Sequence, residues 1–81
     1  MRRSKDDPIA REWETRTKNV LKAELKRRGM GYSDLVAALQ ARGVEETERN
    51  LANKISRGSF SAAFLLQCLE AIGVSRIDLS E

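Results

Sequence analysis

The sequence predicts an all-α domain, a compact bundle of four to five helices, and three observations support this prediction. Helix-favouring alanine, leucine, glutamate, lysine and arginine dominate the composition, and one proline and five glycines leave few breaks. Between those breaks, apolar residues recur at helical spacing. Only residues 77–79 suggest an extended chain, so a β-sheet is not expected.

The chain of 81 residues is long enough for one domain with one core. We expect a flexible basic arm at residues 1–7, a helical domain at 8–74 and a tail at 75–81. No apolar run is long enough to cross a membrane and no signal sequence is recognisable, so a cytoplasmic location is expected.

The first helix is predicted to begin at Pro8, after Asp7 as N-cap, and to run to about Arg28. Its apolar residues share one face, which we expect to be buried, with Trp13 filling the core. That face comprises Ile9, Trp13, Val20, Leu21 and Leu25. The other side carries a basic stripe of Arg11, Lys18, Lys22 and Lys26.

Two short helices follow. The second is predicted at residues 34–42, between Ser33 as N-cap and Gly43 as a left-handed stop. The third follows Thr47 as N-cap and continues to Ser56. Such a pair is typical of a helix-turn-helix, in which the first helix braces the second in the major groove of DNA.

The third helix is predicted to bury Leu51 and Ile55 and to turn polar side chains outward. Arginine can bind guanine as a fork and asparagine can pair with adenine. The candidates for base-edge contacts are Arg49, Asn50, Asn53 and Arg57. An ordinary solvated helix face is the alternative interpretation.

The fourth helix is predicted to begin after Ser59 or Ser61 and to end at Gly73. It is apolar almost all round, so either it is the centre of the bundle or part of it is a subunit interface. The candidates for a homodimer interface are Leu65, Leu66 and Leu69. Cys68 is predicted to be a buried structural thiol.

The charges are unevenly distributed. Residues 1–28 carry ten basic and five acidic side chains, residues 29–58 four of each, and residues 59–81 one basic and three acidic, which gives +5, 0 and −2 and the total of +3. A basic lobe favours a polyanion as partner, and a solvated surface is the alternative.

Catalysis is not expected. The chain has no histidine and a single cysteine, and it shows no metal-ligand cluster, nucleophile motif or phosphate-binding glycine loop. We therefore predict no enzyme activity, no metal, no cofactor and no small-molecule ligand.

Residues 35–73 combine the string LVAAL, a Gly-Val turn, ISRG at 55–58 and the apolar helix after it. This stretch resembles the helix-turn-helix domains of the Cro and lambda-repressor type. More narrowly, NLANKISRGSFSAAFLLQCLEAIGV is similar to a small bacterial family of uncharacterised domains in that superfamily, over roughly residues 16–74. The resemblance implies that residues 47–56 read DNA and that the following loop contacts the backbone.

The candidates for phosphate contacts include lysines of the basic stripe, the helix-capping threonine and residues at the end of the third helix. They are Thr47, Lys54, Gly58, Ser59, Lys18, Lys22 and Lys26.

Two features of the sequence depart from the repressor pattern. The interval between Gly43 and Gly58 is longer, so base-by-base contacts do not carry over. Three carboxylates, Glu45, Glu46 and Glu48, also crowd the start of the third helix.

The sequence thus favours a DNA-binding module that regulates transcription, with double-stranded DNA as its partner and a possible homodimer. The alternative is an adaptor on the same scaffold that binds a partner, or itself, through the apolar helix at residues 61–72.

Overall fold

A computed structural model describes residues 7–79, and within that range the chain forms four α-helices and no strand. They are α1 (Pro8–Arg27), α2 (Tyr32–Gln40), α3 (Glu48–Arg57) and α4 (Ala62–Ala71). The predicted all-α bundle is confirmed. The predicted basic arm, apart from residue 7, and the last two residues of the tail lie outside the described residues.

Three predicted N-caps are confirmed. The Asp7 carboxylate accepts hydrogen bonds from the amides of residues 9 and 10 at 3.0 and 3.2 Å. The Thr47 hydroxyl accepts one from the Asn50 amide at 3.1 Å, and the Ser61 hydroxyl accepts one from the Phe64 amide at 3.0 Å. Each cap satisfies amides that the first helical turn leaves without an intrahelical partner.

The predicted bounds of the second helix are wrong by two residues at each end. Gly31, not Ser33, is the N-cap, because the Asp34 carboxylate reaches back and accepts a hydrogen bond from the Gly31 amide at 2.8 Å. At the other end the amides of Gly43 and Val44 donate to the carbonyls of residues 40 and 39, closing the helix in a Schellman motif. Gly43 has the predicted left-handed backbone, with φ of 81°.

Each of the four helices packs against two others. Both α3 and α4 lie against α1 and against α2. The side chains that are fully buried between them are Leu21, Leu35, Leu39, Leu51, Ile55 and Cys68. Cys68 is thus the buried thiol that the sequence predicts, and desolvation together with the negative charge of Glu46 raises its pKa to about 12.

The first half of α1 corrects the prediction for its apolar face. Leu21 and Leu25 are buried as expected, but Ile9 and Trp13 are exposed, and Trp13 does not fill the core. The cause is length. A helix of 20 residues is about 30 Å long, whereas the two helices of 10 residues that face it, α3 and α4, extend only about 15 Å. The Arg16 guanidinium instead lies over the Trp13 ring, 4.4 Å from its centroid.

Candidate nucleic-acid interface

The helix α3 is anchored to the bundle by its inner face. Leu51 and Ile55, one turn apart, are both fully buried in the core, as the sequence predicts. Because these two side chains fix the rotation of the helix about its axis, they also fix which residues face outward. The inner face is therefore closed to any partner and the outer face is open.

Two contacts with α1 hold the C-terminal end of α3. The Lys18 ammonium donates a hydrogen bond to the Ser56 carbonyl at 3.2 Å, where a cation is favourable beside the negative end of the helix dipole. Gly58, in the left-handed conformation with φ of 71°, packs against the backbone of Glu14. These contacts were not predicted, since they join residues about 40 positions apart.

The outer face of α3 carries the four candidates for base-edge contacts. Their side chains fall within an arc of about 100° around the helix axis, opposite the two buried anchors. All four are exposed: Arg49, Asn50, Asn53 and Arg57. The structure thus brings together the arginine and asparagine side chains that the sequence grouped on one face.

The candidates for phosphate contacts on α3 and its flanks differ in availability. The Lys54 ammonium pairs with the Glu46 carboxylate at 2.6 Å and lies 4.6 Å above the centroid of the Phe64 ring. Gly58 is buried, and its amide donates to the Lys54 carbonyl at 3.2 Å. Thr47, Lys54 and Ser59 are exposed, but the Thr47 oxygen already serves as a cap and the Lys54 ammonium is paired.

The basic stripe of α1 contacts α3 through one residue, Lys18. Lys18 makes the contact with Ser56 described above, and Lys22 and Lys26 follow it at intervals of four residues, which places all three along one side. Lys22 and Lys26 are exposed and line a shallow groove with Tyr32 at the start of α2. The stripe thus extends from the contact of Lys18 with α3 to the start of α2.

One of the three carboxylates at the start of α3 is neutralised. The Glu46 side chain is only 6% exposed and is paired with Lys54, so it does not face solvent. Glu45 and Glu48 are exposed, and Glu45 lines a concave region with Gln40 and Asn50. Negative charge thus remains at the N-terminal end of α3 and is absent from its C-terminal end.

The three candidates for a homodimer interface differ in how far they are buried. Leu69 belongs to the core, Leu65 is half-buried, and Leu66 is 63% exposed. The interface candidates from the sequence do not include Trp13, Ile77 and Leu79, although all three are exposed and line a groove with Leu65. Their apolar character was visible, but their exposure depends on which helices cover them.

Comparison with families of known proteins gives a match over most of the chain. The family described as "Domain of unknown function (DUF6471)" matches residues 13–77. This match agrees with the predicted likeness to a family of uncharacterised domains. No curated protein and no solved structure matches the chain. Within residues 7–79, no helix has the length and apolar content to span a membrane.

Proposed function

The chain belongs to the DUF6471 family, described as a domain of unknown function, and we propose that it binds double-stranded DNA with the outer face of α3 in the major groove. One observation carries the proposal. Four exposed side chains, two arginines and two asparagines, stand on the face of α3 that lies opposite its buried anchors Leu51 and Ile55.

The chemistry of that face suits base edges. A helix with its side chains is about 10–12 Å wide and the major groove of B-DNA is about 12 Å wide, so α3 can enter it. There Arg49 and Arg57 can each donate two hydrogen bonds to guanine, and Asn50 and Asn53 can pair with adenine. The resemblance of the sequence to repressor-like domains also implies that this helix reads DNA.

Positive charge beside α3 supports the same proposal. Lys22 and Lys26 are exposed and follow Lys18, which contacts α3, at intervals of four residues, so both can bind phosphates. Lys18 and Lys54 act differently, because their ammonium groups already bind the Ser56 carbonyl and the Glu46 carboxylate. We therefore assign these two lysines to positioning α3 and the other two to phosphate contacts.

The uneven distribution of charge along α3 predicts which end of this helix contributes more to DNA binding. Glu45 and Glu48 repel phosphate at its N-terminal end, whereas Arg57 extends the basic surface at its C-terminal end. We therefore expect Asn53 and Arg57 to contribute more to binding than Arg49 and Asn50.

Binding of the full chain to a labelled duplex of random sequence, measured by fluorescence anisotropy from about 50 to 200 mM salt, tests the proposal. We expect the affinity to fall with a log-log slope of several units. Arg57→Ala should weaken binding by roughly tenfold or more, since one good arginine contact contributes about 1–3 kcal/mol.

Arg76→Ala is the matched control, because it removes the same charge from the exposed tail, away from α3. Circular dichroism of both variants verifies that they fold. Equal losses for Arg57→Ala and Arg76→Ala would contradict the assignment of α3. No affinity at the lowest salt concentration would exclude DNA binding altogether.

A second function, an adaptor that binds a protein through the region at residues 61–72, is favoured by one observation, the exposure of Leu66 on α4. The two functions use different helices and are not exclusive.

A further inference from the structure

Exposed apolar side chains are concentrated on one side of the molecule. Of the five large hydrophobic residues that are exposed within residues 7–79, four come from α1, α4 and the tail and lie near one another. We define the apolar face as these four and their half-buried neighbours: Trp13, Val20, Leu65, Leu66, Ile77 and Leu79.

Two adjoining grooves make this face continuous. The first is lined by Trp13 and Val20 of α1, Leu65 of α4 and both apolar residues of the tail. The second runs between α4 and the tail and includes Leu66. Ile77 lines both grooves, so they form a single surface. Single exposed hydrophobic residues are ordinary, but a contiguous apolar surface indicates a binding partner.

Charges around the apolar face identify the kind of partner. The charged residues that line the two grooves are Arg16, Arg76 and Glu70, so the rim carries charges of both signs. A two-fold interface sets a surface against itself, so Glu70 of one copy can meet an arginine of the other, whereas a rim of one sign would repel its copy. A basic rim would be expected for an anionic membrane surface.

We propose that the apolar face binds the same face of a second copy of this chain and forms a two-fold symmetric dimer. The surface differs from the one that the sequence suggested, since α1 and the tail replace Leu69, which lies in the core. The inference does not depend on DNA binding. It is compatible with it, because the basic stripe and α3 lie on the other side of α1 from Trp13 and Val20.

Analytical ultracentrifugation of the full chain over a concentration series tests the dimer. We expect the mass to rise from 9.1 kDa toward twice that value. Leu66→Glu should raise the dimer dissociation constant by about 30-fold or more, the effect of removing a central apolar contact. Because Leu66 is exposed in the single chain, this variant should fold normally.

Ala37→Glu is the control, since it adds the same charge to an exposed position of α2. It should leave the dissociation constant unchanged. Trp13, the only tryptophan, gives a second measurement that needs no substitution. Its fluorescence should shift to shorter wavelength as the protein concentration rises, because dimer formation buries the indole.

Three results would overturn the proposal. They are a mass of 9.1 kDa at all concentrations, a dimer that Leu66→Glu and Ala37→Glu weaken equally, and association without any shift in Trp13 emission. A monomer whose tryptophan emission shifts only with added vesicles of phosphatidylglycerol would assign the apolar face to lipid instead.

Discussion

Gly58 meets two structural requirements, one of backbone conformation and one of close packing. Its φ of 71° belongs to the left-handed region that side chains with a Cβ avoid. In addition, a Cβ at this position would lie 2.2 Å from the carbonyl oxygen of Glu14, which cannot move without disturbing α1. The sequence predicts the first requirement from the end of a helix, but only the packed bundle reveals the second.

Comparison of Gly58→Ala with Gly43→Ala separates these requirements. At Gly43, φ is 81° and a Cβ would meet nothing within 4 Å, so alanine should cost only the backbone strain of about 1 kcal/mol. At Gly58 the collision with α1 should add roughly 1–3 kcal/mol. Chemical unfolding measures both free energies. Equal losses would show that α1 and the loop after α3 do not pack as described.

Among the elements, α3 was predicted within one residue at each end, whereas α2 was misplaced by two residues at both ends. Hydroxyl caps and left-handed glycines are local signals, so the sequence alone identifies them. The start of α2 depends on which of two adjacent side chains, Ser33 or Asp34, makes the local hydrogen bond that begins the helix. In the structure the Asp34 carboxylate accepts this bond from the Gly31 amide. Exposure of the first half of α1 depends on helix packing, which no local pattern contains.

For the candidate site, the sequence predicted which side chains α3 turns outward but not which lysines are available. Helical periodicity is sufficient for Arg49, Asn53 and Arg57, because the buried positions determine the exposed ones. The pairing of Lys54 with Glu46 depends on how residues 41–47 fold back on α3. That loop conformation is not encoded in a periodic pattern.

Substitutions within α3 measure how much its two buried anchors contribute to the free energy of unfolding. Leu51→Ala and Ile55→Ala should each lower the free energy of unfolding by roughly 2–5 kcal/mol, because both side chains are fully buried and leave cavities. Asn53→Ala, an exposed position of the same helix, should change it by less than about 0.5 kcal/mol. Thermal melts of all three variants that coincide with the parent would show that α3 is not fixed by these anchors.

At the scale of the whole molecule, polar and apolar surfaces are separated by α1. One side of this helix carries Lys18, which contacts α3, together with Lys22 and Lys26, and the other carries Trp13 and Val20 beside α4. A dimer formed through the apolar face would leave both copies of α3 exposed. With two copies of α3, one dimer could contact two half-sites on the same duplex.

Dimer formation should also make the stability of the fold depend on protein concentration. If the apolar face is buried only in the dimer, a 100-fold rise in concentration stabilises the folded state by about 2.7 kcal/mol of dimer, or half of that for each chain. For a domain of this size the melting temperature should rise by roughly 5–10 °C. Calorimetry of the parent and of Ala37→Glu should show this rise, and Leu66→Glu should reduce it. A melting temperature independent of concentration in the parent would mean that folding is complete in the single chain and that the exposed Trp13 and Leu66 side chains need no second copy.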